Sequence, residues 1–161
     1  MNGKINVLAK VGKKVSYEFE IKRKITFIRG DSGSGKSKLV ELVEAVEKET
    51  RGYSIECRLQ PSTQVKERMV RAVRGDWKNW KRQMEEIENS VIFFDENDVC
   101  LKKKEFAKSL LDSGNYFVIV SRRDYETIPY SVEEIYDVHN SNSPDELITG
   151  SWNYANHEYK S

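Results

Sequence analysis

Cysteine and histidine are scarce in this sequence of 161 residues, with two of each. Cys57 and Cys100 form no Cys-x-x-Cys pair, and His139 and His157 do not have the spacing of metal ligands. This scarcity disfavours zinc ribbons, iron–sulfur clusters and a disulfide framework. The same four residues form no recognisable nucleophile–base pair, so the sequence does not indicate thiol chemistry.

Long apolar runs are also missing. The longest runs of aliphatic or phenylalanine residues have four members each, Val91–Phe94 and Phe117–Val120. A membrane-spanning helix needs about 20 such residues. The polar start, Met1–Lys4, does not resemble a signal peptide. We therefore expect no membrane association and a cytoplasmic location.

A large excess of charge of one sign is absent as well. The chain has 27 Lys and Arg residues against 26 Asp and Glu residues, so its overall charge indicates no acidic or basic partner. An apolar fraction of 38% is sufficient for a folded core. The length is typical of one domain, which we expect to span residues 1–161 with an acidic, less regular segment at 140–161.

The charges are nevertheless unevenly distributed along the chain. Residues 64–84 carry seven basic side chains against two acidic ones, whereas residues 125–161 carry seven acidic groups and one lysine. This basic segment could bind nucleic acid or cover a substrate. Alternatively, it forms two amphipathic helices with Trp77 and Trp80 in the core and the charges in water, which we favour. The opposite charges of the two segments would also suit self-association or a protein partner.

Alternating apolar residues predict strands near the N-terminus. Residues 4–7 and 15–21 alternate between apolar and polar types, with a turn between the two runs. A third run, Ile25–Ile28, ends at Gly30. The pattern predicts an antiparallel hairpin that leads into a core strand.

Further along the chain, helical periodicity alternates with short apolar runs. Helices are predicted from Lys36 onwards, from Pro61 through Val73, from Trp77 to Ile87 and over residues 99–112. Strands are predicted at residues 53–59, 91–94, 116–120 and, as an edge strand, 134–138. This alternation is typical of an α/β fold, a mostly parallel sheet flanked by helices, here with an N-terminal antiparallel hairpin. Such sheets bind ligands beyond the carboxyl ends of their strands, near residues 30, 60, 95 and 121.

A glycine-rich loop follows the third predicted strand. Eight residues match the pattern GxxxxGK[ST], and we call them the phosphate loop: Gly30, Asp31, Ser32, Gly33, Ser34, Gly35, Lys36 and Ser37. The glycines allow successive backbone N–H groups to point at phosphate oxygens, and the following helix adds the positive end of its dipole. We expect Lys36 to reach the β- and γ-phosphates and Ser37 to bind Mg²⁺. A flexible linker is the alternative, which the flanking strand and helix disfavour.

Two carboxylates follow the apolar run Val91–Phe94. In metal-assisted hydrolysis, Asp95 would hold Mg²⁺ through a water molecule and Glu96 would polarise the attacking water. Alternatively, the acidic turn Asp95–Asp98 only caps the next helix. The phosphate loop upstream favours the catalytic role.

Polar residues also follow the strand predicted at 116–120. Ser121 is placed to contact the γ-phosphate or the attacking water, so we include it among the catalytic candidates. Arg122 and Arg123 could neutralise charge in the transition state or lie at the surface for solubility, and we favour the surface role.

These segments together resemble the P-loop NTPase superfamily. GDSGSGKS at 30–37 resembles a Walker A motif, VIFFDE at 91–96 resembles a Walker B motif with its additional glutamate, and Ser121 resembles a sensor residue. The order is similar to the branch with an additional strand between the two motifs, which includes AAA and ABC ATPases. The resemblance covers residues 15–123 and implies ATP and Mg²⁺ as cofactors. Since neither an LSGGQ-type signature nor a helical lid domain is present, it implies a minimal ATPase core, like small ATP-binding proteins of bacteria and phages.

Three functions are compatible with these residues. The leading hypothesis is an ATP-binding protein with Mg²⁺-dependent hydrolysis coupled to an unidentified partner or process. The second is a small-molecule or nucleoside kinase, in which Arg68, Arg71 and Arg74 would cover the phosphates. The third is an interaction module that uses the nucleotide as a switch or has no catalytic activity. Adjacent Asp95 and Glu96 favour hydrolysis, because a kinase has to exclude water rather than activate it.

Overall fold

The computed structural model describes residues 3–29, 36–60, 68–95, 98, 103–121 and 135–137, with the backbone alone at 29, 36–38 and 135–137. Within these residues the chain forms eight strands and three helices. In chain order they are β1 (Ile5–Val11), β2 (Lys14–Ile21), β3 (Ile25–Arg29), α1 (Lys36–Glu47), β4 (Tyr53–Leu59), β5 (Arg68–Arg74), α2 (Trp80–Glu86), β6 (Ser90–Asp95), α3 (Lys104–Asp112), β7 (Tyr116–Val120) and β8 (Ile135–Asp137).

All eight strands belong to one curled, mixed sheet with the order β2-β1-β4-β5-β6-β7-β3-β8. β1 pairs antiparallel with β2 and β4, and β4 pairs antiparallel with β5. The pairings β5–β6, β6–β7, β7–β3 and β3–β8 are parallel. The β1–β2 hairpin turns at Gly12, whose φ of +64° is a conformation that glycine adopts without a steric cost. The strand predicted at 134–138 is confirmed as β8, at the edge of the sheet.

The predicted fold class, a mostly parallel sheet flanked by helices, is wrong. The sheet is strand-rich and mixed, and its antiparallel ladders contain slightly more paired residues than its parallel ones. The described helices are short, with 12, 7 and 9 residues. The antiparallel part extends beyond the predicted hairpin, because β4 and β5 continue it.

The largest local difference is at β5, where the sequence predicts a helix through Val73. Residues 68–70 of β5 pair with β4 in the antiparallel sense, and residues 71–74 pair with β6 in the parallel sense. Pairing on both sides therefore overrides the helical spacing of its apolar residues. β5 is the strand at which the antiparallel and parallel parts of the sheet join.

The core has two parts, one on each face of the sheet. Val91 and Phe93 of β6 pack with α1 on one face, whereas Ile92 and Phe94 pack with α3 on the other. All four side chains are fully buried, as predicted for a strand that is covered on both faces. Burial of each such side chain contributes about 1.5–3 kcal/mol.

The helix predicted from Trp77 begins later, at Trp80. The Asp76 carboxylate accepts hydrogen bonds from the backbone N–H groups of Lys78 and Asn79 at 3.1 and 3.2 Å, so it stabilises the turn before the helix. Trp80 is buried against Phe106 in an edge-to-face contact with 5.2 Å between ring centroids. Trp77 is 39% exposed, so only one of the two tryptophans lies in the core.

Gly75 is required by the close packing between β5 and β6. Its N–H donates to the Phe93 carbonyl at 2.7 Å, and a Cβ atom at this position would overlap the buried ring of Phe94. We predict that Gly75→Ala lowers the free energy of unfolding by about 1–3 kcal/mol, measured by urea denaturation. Gly114→Ala is the matched control, since nothing lies within 4 Å of its added Cβ. Equal stabilities of the two variants would contradict this packing.

Candidate functional site

The carboxyl ends of β3, β7 and β6 lie side by side at one edge of the sheet. Ile28 of β3 pairs with Val120 of β7, and Val120 pairs with Asp95 of β6. Since neighbouring strands are about 4.8 Å apart, Asp95 is separated from the end of β3 by one strand, or about 10 Å. The chain segment that enters the phosphate loop and the predicted metal-binding carboxylate therefore share this edge.

Only part of the predicted site falls within the described residues. Lys36 and Ser37 are the first two residues of α1, where the backbone is described. The other phosphate-loop residues and Glu96, Arg122 and Arg123 lie outside the described residues. Their predicted contacts with phosphate and water stay predictions.

Ser121 follows β7 directly and is fully buried. Its N–H donates to the Ile28 carbonyl at 3.0 Å, which continues the parallel ladder by one residue past β7. The structure thus places Ser121 between the strand that leads into the phosphate loop and the strand that carries Asp95.

Asp95 ends β6 and is held through its main chain by Asp98. The Asp95 N–H donates to Asp98 Oδ2 at 2.8 Å, and the Asp98 N–H donates to the Asp95 carbonyl at 3.0 Å. The Asp95 side chain is 24% exposed, and its Oδ2 lies 3.6 Å from Nη2 of Arg74. The end of β6 is therefore held by two backbone-directed hydrogen bonds and one ion pair.

Arg74 and Asp98 form a bidentate ion pair next to Asp95. Arg74 Nη1 donates to Asp98 Oδ2 at 2.8 Å, and Nη2 donates to Asp98 Oδ1 at 3.1 Å. Asp98 is 3% exposed, so its charge is largely removed from water. Burial alone would lower the pKa of Arg74, but the hydrogen bond and charge of Asp98, together with nearby carboxylates, raise it above the usual value. Arg74 is thus a permanent cation in this site.

Arg74 also contacts α1. Its backbone N–H donates to Glu47 Oε1 at 2.7 Å, and its Nε lies 3.9 Å from Glu44 Oε2. α1 is the helix that begins with Lys36 and Ser37. One arginine at the end of β5 therefore contacts both the helix that follows the phosphate loop and the end of β6.

Sequence reasoning placed neither Arg74 nor Asp98 beside Asp95, and it considered Arg74 only for covering phosphates in the kinase hypothesis. Arg74 was one of seven basic residues in segment 64–84, and its partner is 24 residues away. For Asp98, the alternative of a turn at 95–98 that only caps the next helix is wrong, because its buried carboxylate accepts the Asp95 N–H at the end of β6 and the N-cap of α3 is Lys103. No local signal paired the two residues, because the segment through Val73 was predicted to be helical and the contact depends on the pairing of β5 with β6.

The described part of the basic segment, residues 68–84, forms a central strand and most of a short helix rather than two helices. Several of its cations have carboxylate partners: Arg74 with Asp98, Lys81 with Glu105 at 2.9 Å, and Arg82 with Glu86 at 2.9 Å. β5 lies between β4 and β6, so Arg68–Arg74 is part of the sheet and does not form a lid over phosphates. This placement counts against the kinase hypothesis.

Two other features lie away from this edge. Cys57 is buried in the core, and burial raises the pKa of its thiol to about 12, so it is not a thiolate at neutral pH. A groove of about 450 Å³ lies between α2 and α3, where Trp80, Met84 and Lys108 contribute to its walls. Neither Asp95 nor Ser121, the two predicted site residues whose side chains the structure describes, lines this groove.

No protein-family model matches the chain, and no curated protein is significantly similar to it. Together with the mixed, strand-rich sheet, this finding overturns the resemblance to the P-loop NTPase superfamily. Among the described helices, none is long and apolar enough to cross a membrane. In the same part of the chain, no cluster of three or more His, Cys, Asp or Glu residues is arranged to hold a metal ion by itself.

Because Arg74 and Asp98 form a buried ion pair, we predict that substitutions of the two residues have coupled effects on the free energy of unfolding. Arg74→Met leaves a buried carboxylate without its cation, and we expect a loss of about 3 kcal/mol in the free energy of unfolding. Asp98→Asn leaves a guanidinium that still lies beside Asp95 and Glu44, and we expect about 2 kcal/mol. The double variant is expected to lose at least about 1 kcal/mol less than the sum of the two. Urea denaturation measures all three, and additive losses would contradict the pairing. Glu86→Gln, in an exposed ion pair, is the control and should have no measurable effect.

Proposed function

We propose that this protein binds ATP with Mg²⁺ at the carboxyl edge of β3, β7 and β6 and hydrolyses it. One observation carries the proposal, namely the register in which Ile28, Val120 and Asp95 are neighbours on three adjacent parallel strands. This register brings the entry to a GxxxxGK[ST] loop and a strand-end aspartate to the same edge.

The distance between the ends of β3 and β6 is suitable for a metal–phosphate complex. Mg²⁺ binds six oxygen ligands at about 2.1 Å, keeps several waters and usually takes one or two carboxylates together with substrate phosphates. Beyond the end of β7, the lateral distance of about 10 Å between the ends of β3 and β6 is comparable with the span from the Asp95 side chain through a bridging water and the ion to a phosphate oxygen. A protein cage of three or more carboxylates is not needed for such a site.

Each proposed residue has a distinct role. Backbone N–H groups of residues 30–35 bind the phosphates, and Lys36 neutralises charge on the β- and γ-phosphates. Ser37 is a direct ligand of Mg²⁺, and Asp95 binds it through water. Glu96 polarises the attacking water and Ser121 orients the γ-phosphate or that water.

Three substitutions separate binding from catalysis. Lys36→Ala should weaken ATP binding by about 10-fold or more, since it removes a charge-assisted contact with the phosphates. Glu96→Gln should bind ATP as the parent does but release phosphate about 100-fold more slowly. Asp95→Asn should raise the Mg²⁺ concentration needed for phosphate release. Isothermal titration calorimetry and a phosphate-release assay measure these effects.

Lys38→Ala is the matched control for Lys36→Ala, because it removes a lysine two positions away that is outside the motif. Its ATP affinity should equal that of the parent. Absence of ATP binding by the parent protein would refute the proposed function. Equal affinities of the two lysine variants would remove Lys36 from it.

A further inference from the structure

We propose that Arg74 and Asp98 are positioning residues that hold the Asp95 carboxylate where it can bind Mg²⁺. This inference rests on the proposed function and assigns roles to two residues outside the sequence motifs. It starts from the arrangement of hydrogen bonds around the end of β6.

Asp98 fixes the main chain of Asp95 and also binds Arg74, which lies beside the Asp95 carboxylate. Its Oδ2 accepts the Asp95 N–H and Arg74 Nη1, each at 2.8 Å. Its own N–H donates to the Asp95 carbonyl. The backbone of Asp95 is therefore fixed on both sides of its Cα atom, which restricts the direction in which the side chain leaves β6.

Arg74 fixes Asp98 and also reaches the Asp95 carboxylate. The same Nη2 that donates to Asp98 Oδ1 at 3.1 Å lies 3.6 Å from Asp95 Oδ2. Nη1 further donates to the carbonyl oxygens of Gly75 and Phe93 at 3.1 and 3.3 Å. These contacts need a planar group with several donors in fixed directions, which arginine provides and lysine does not.

The contacts of Arg74 with α1 lie at the C-terminal end of that helix. Glu47, the last residue of α1, accepts the Arg74 N–H, and Glu44 lies near its Nε. Lys36 begins α1 about 16 Å away along the helix axis, so these contacts hold Arg74 in place without reaching the phosphate-binding end of the helix.

Stability alone does not explain why Arg74 and Asp98 form a buried ion pair. Removing two charges from water costs free energy that their attraction only partly returns, and apolar pairs of similar volume often serve as well or better. The additional contacts of this pair with Asp95 and α1 are what distinguish it from the exposed pairs Arg82–Glu86 and Lys81–Glu105.

Two variants that keep both charges test this role without leaving a buried charge unpaired. Arg74→Lys loses the bidentate geometry, and Asp98→Glu moves the carboxylate by one methylene. For each, we would measure ATP affinity in the presence of EDTA and the Mg²⁺ concentration that gives half-maximal phosphate release. We expect the half-maximal Mg²⁺ concentration to rise about 10-fold, because a misdirected Asp95 no longer supports the metal-bound water and the loss of an outer-shell contact has effects of that size. The metal-free ATP affinity should equal that of the parent, because binding without the metal makes no use of Asp95.

Arg82→Lys and Glu86→Asp are the matched controls, since they alter an exposed ion pair in the same conservative way and should leave both quantities unchanged. An unchanged Mg²⁺ requirement in Arg74→Lys and Asp98→Glu, with an active parent protein, would overturn this inference and leave the proposed function intact. A parallel loss of metal-free ATP affinity would overturn it in favour of a general structural role. A parent protein that neither binds nor hydrolyses ATP would overturn both proposals.

Discussion

Both the sheet topology and the surroundings of Asp95 depend on the pairing of one strand, β5. Its first half extends the antiparallel ladder that begins with the β1–β2 hairpin, and its second half begins the parallel ladder that ends at β8. Its last residue, Arg74, then forms the buried ion pair with Asp98 at the end of β6. A change in the register of β5 would therefore disturb both the junction between the two parts of the sheet and the surroundings of Asp95.

The sequence predicts the elements that surround the proposed site better than it predicts the fold. β6 and β7 are continuous apolar runs, and burial on both faces follows directly from that composition. β5 is different, because arginines at 68, 71 and 74 and valines at 70 and 73 are compatible with a helix or a strand. Only the pairing with β4 and β6 decides between them, and such long-range contacts are not visible in local spacing. The wrong fold class follows largely from this one segment.

The candidate site could also be predicted only in part, because local sequence patterns do not show long-range contacts. Asp95 and Ser121 could be predicted because each is a polar residue that follows an apolar strand. Arg74 and Asp98 could not be placed beside Asp95, because their positions depend on a contact between residues 24 positions apart. A strand-end aspartate on the same sheet edge as the entry to a GxxxxGK[ST] segment, with an ion pair on its β5 side, is a local arrangement that does not depend on family membership. The proposed function therefore depends on the local geometry at one edge of the sheet and not on a resemblance of the whole chain.

The most direct measurement is a crystal structure of the protein with Mn²⁺ and a non-hydrolysable ATP analogue, in which anomalous scattering locates the metal. The account predicts a metal peak about 4–5 Å from the Asp95 carboxylate, bridged by a water, with the triphosphate against residues 30–37. A nucleotide bound in the groove between α2 and α3, or crystals without nucleotide and metal at saturating concentrations, would contradict it.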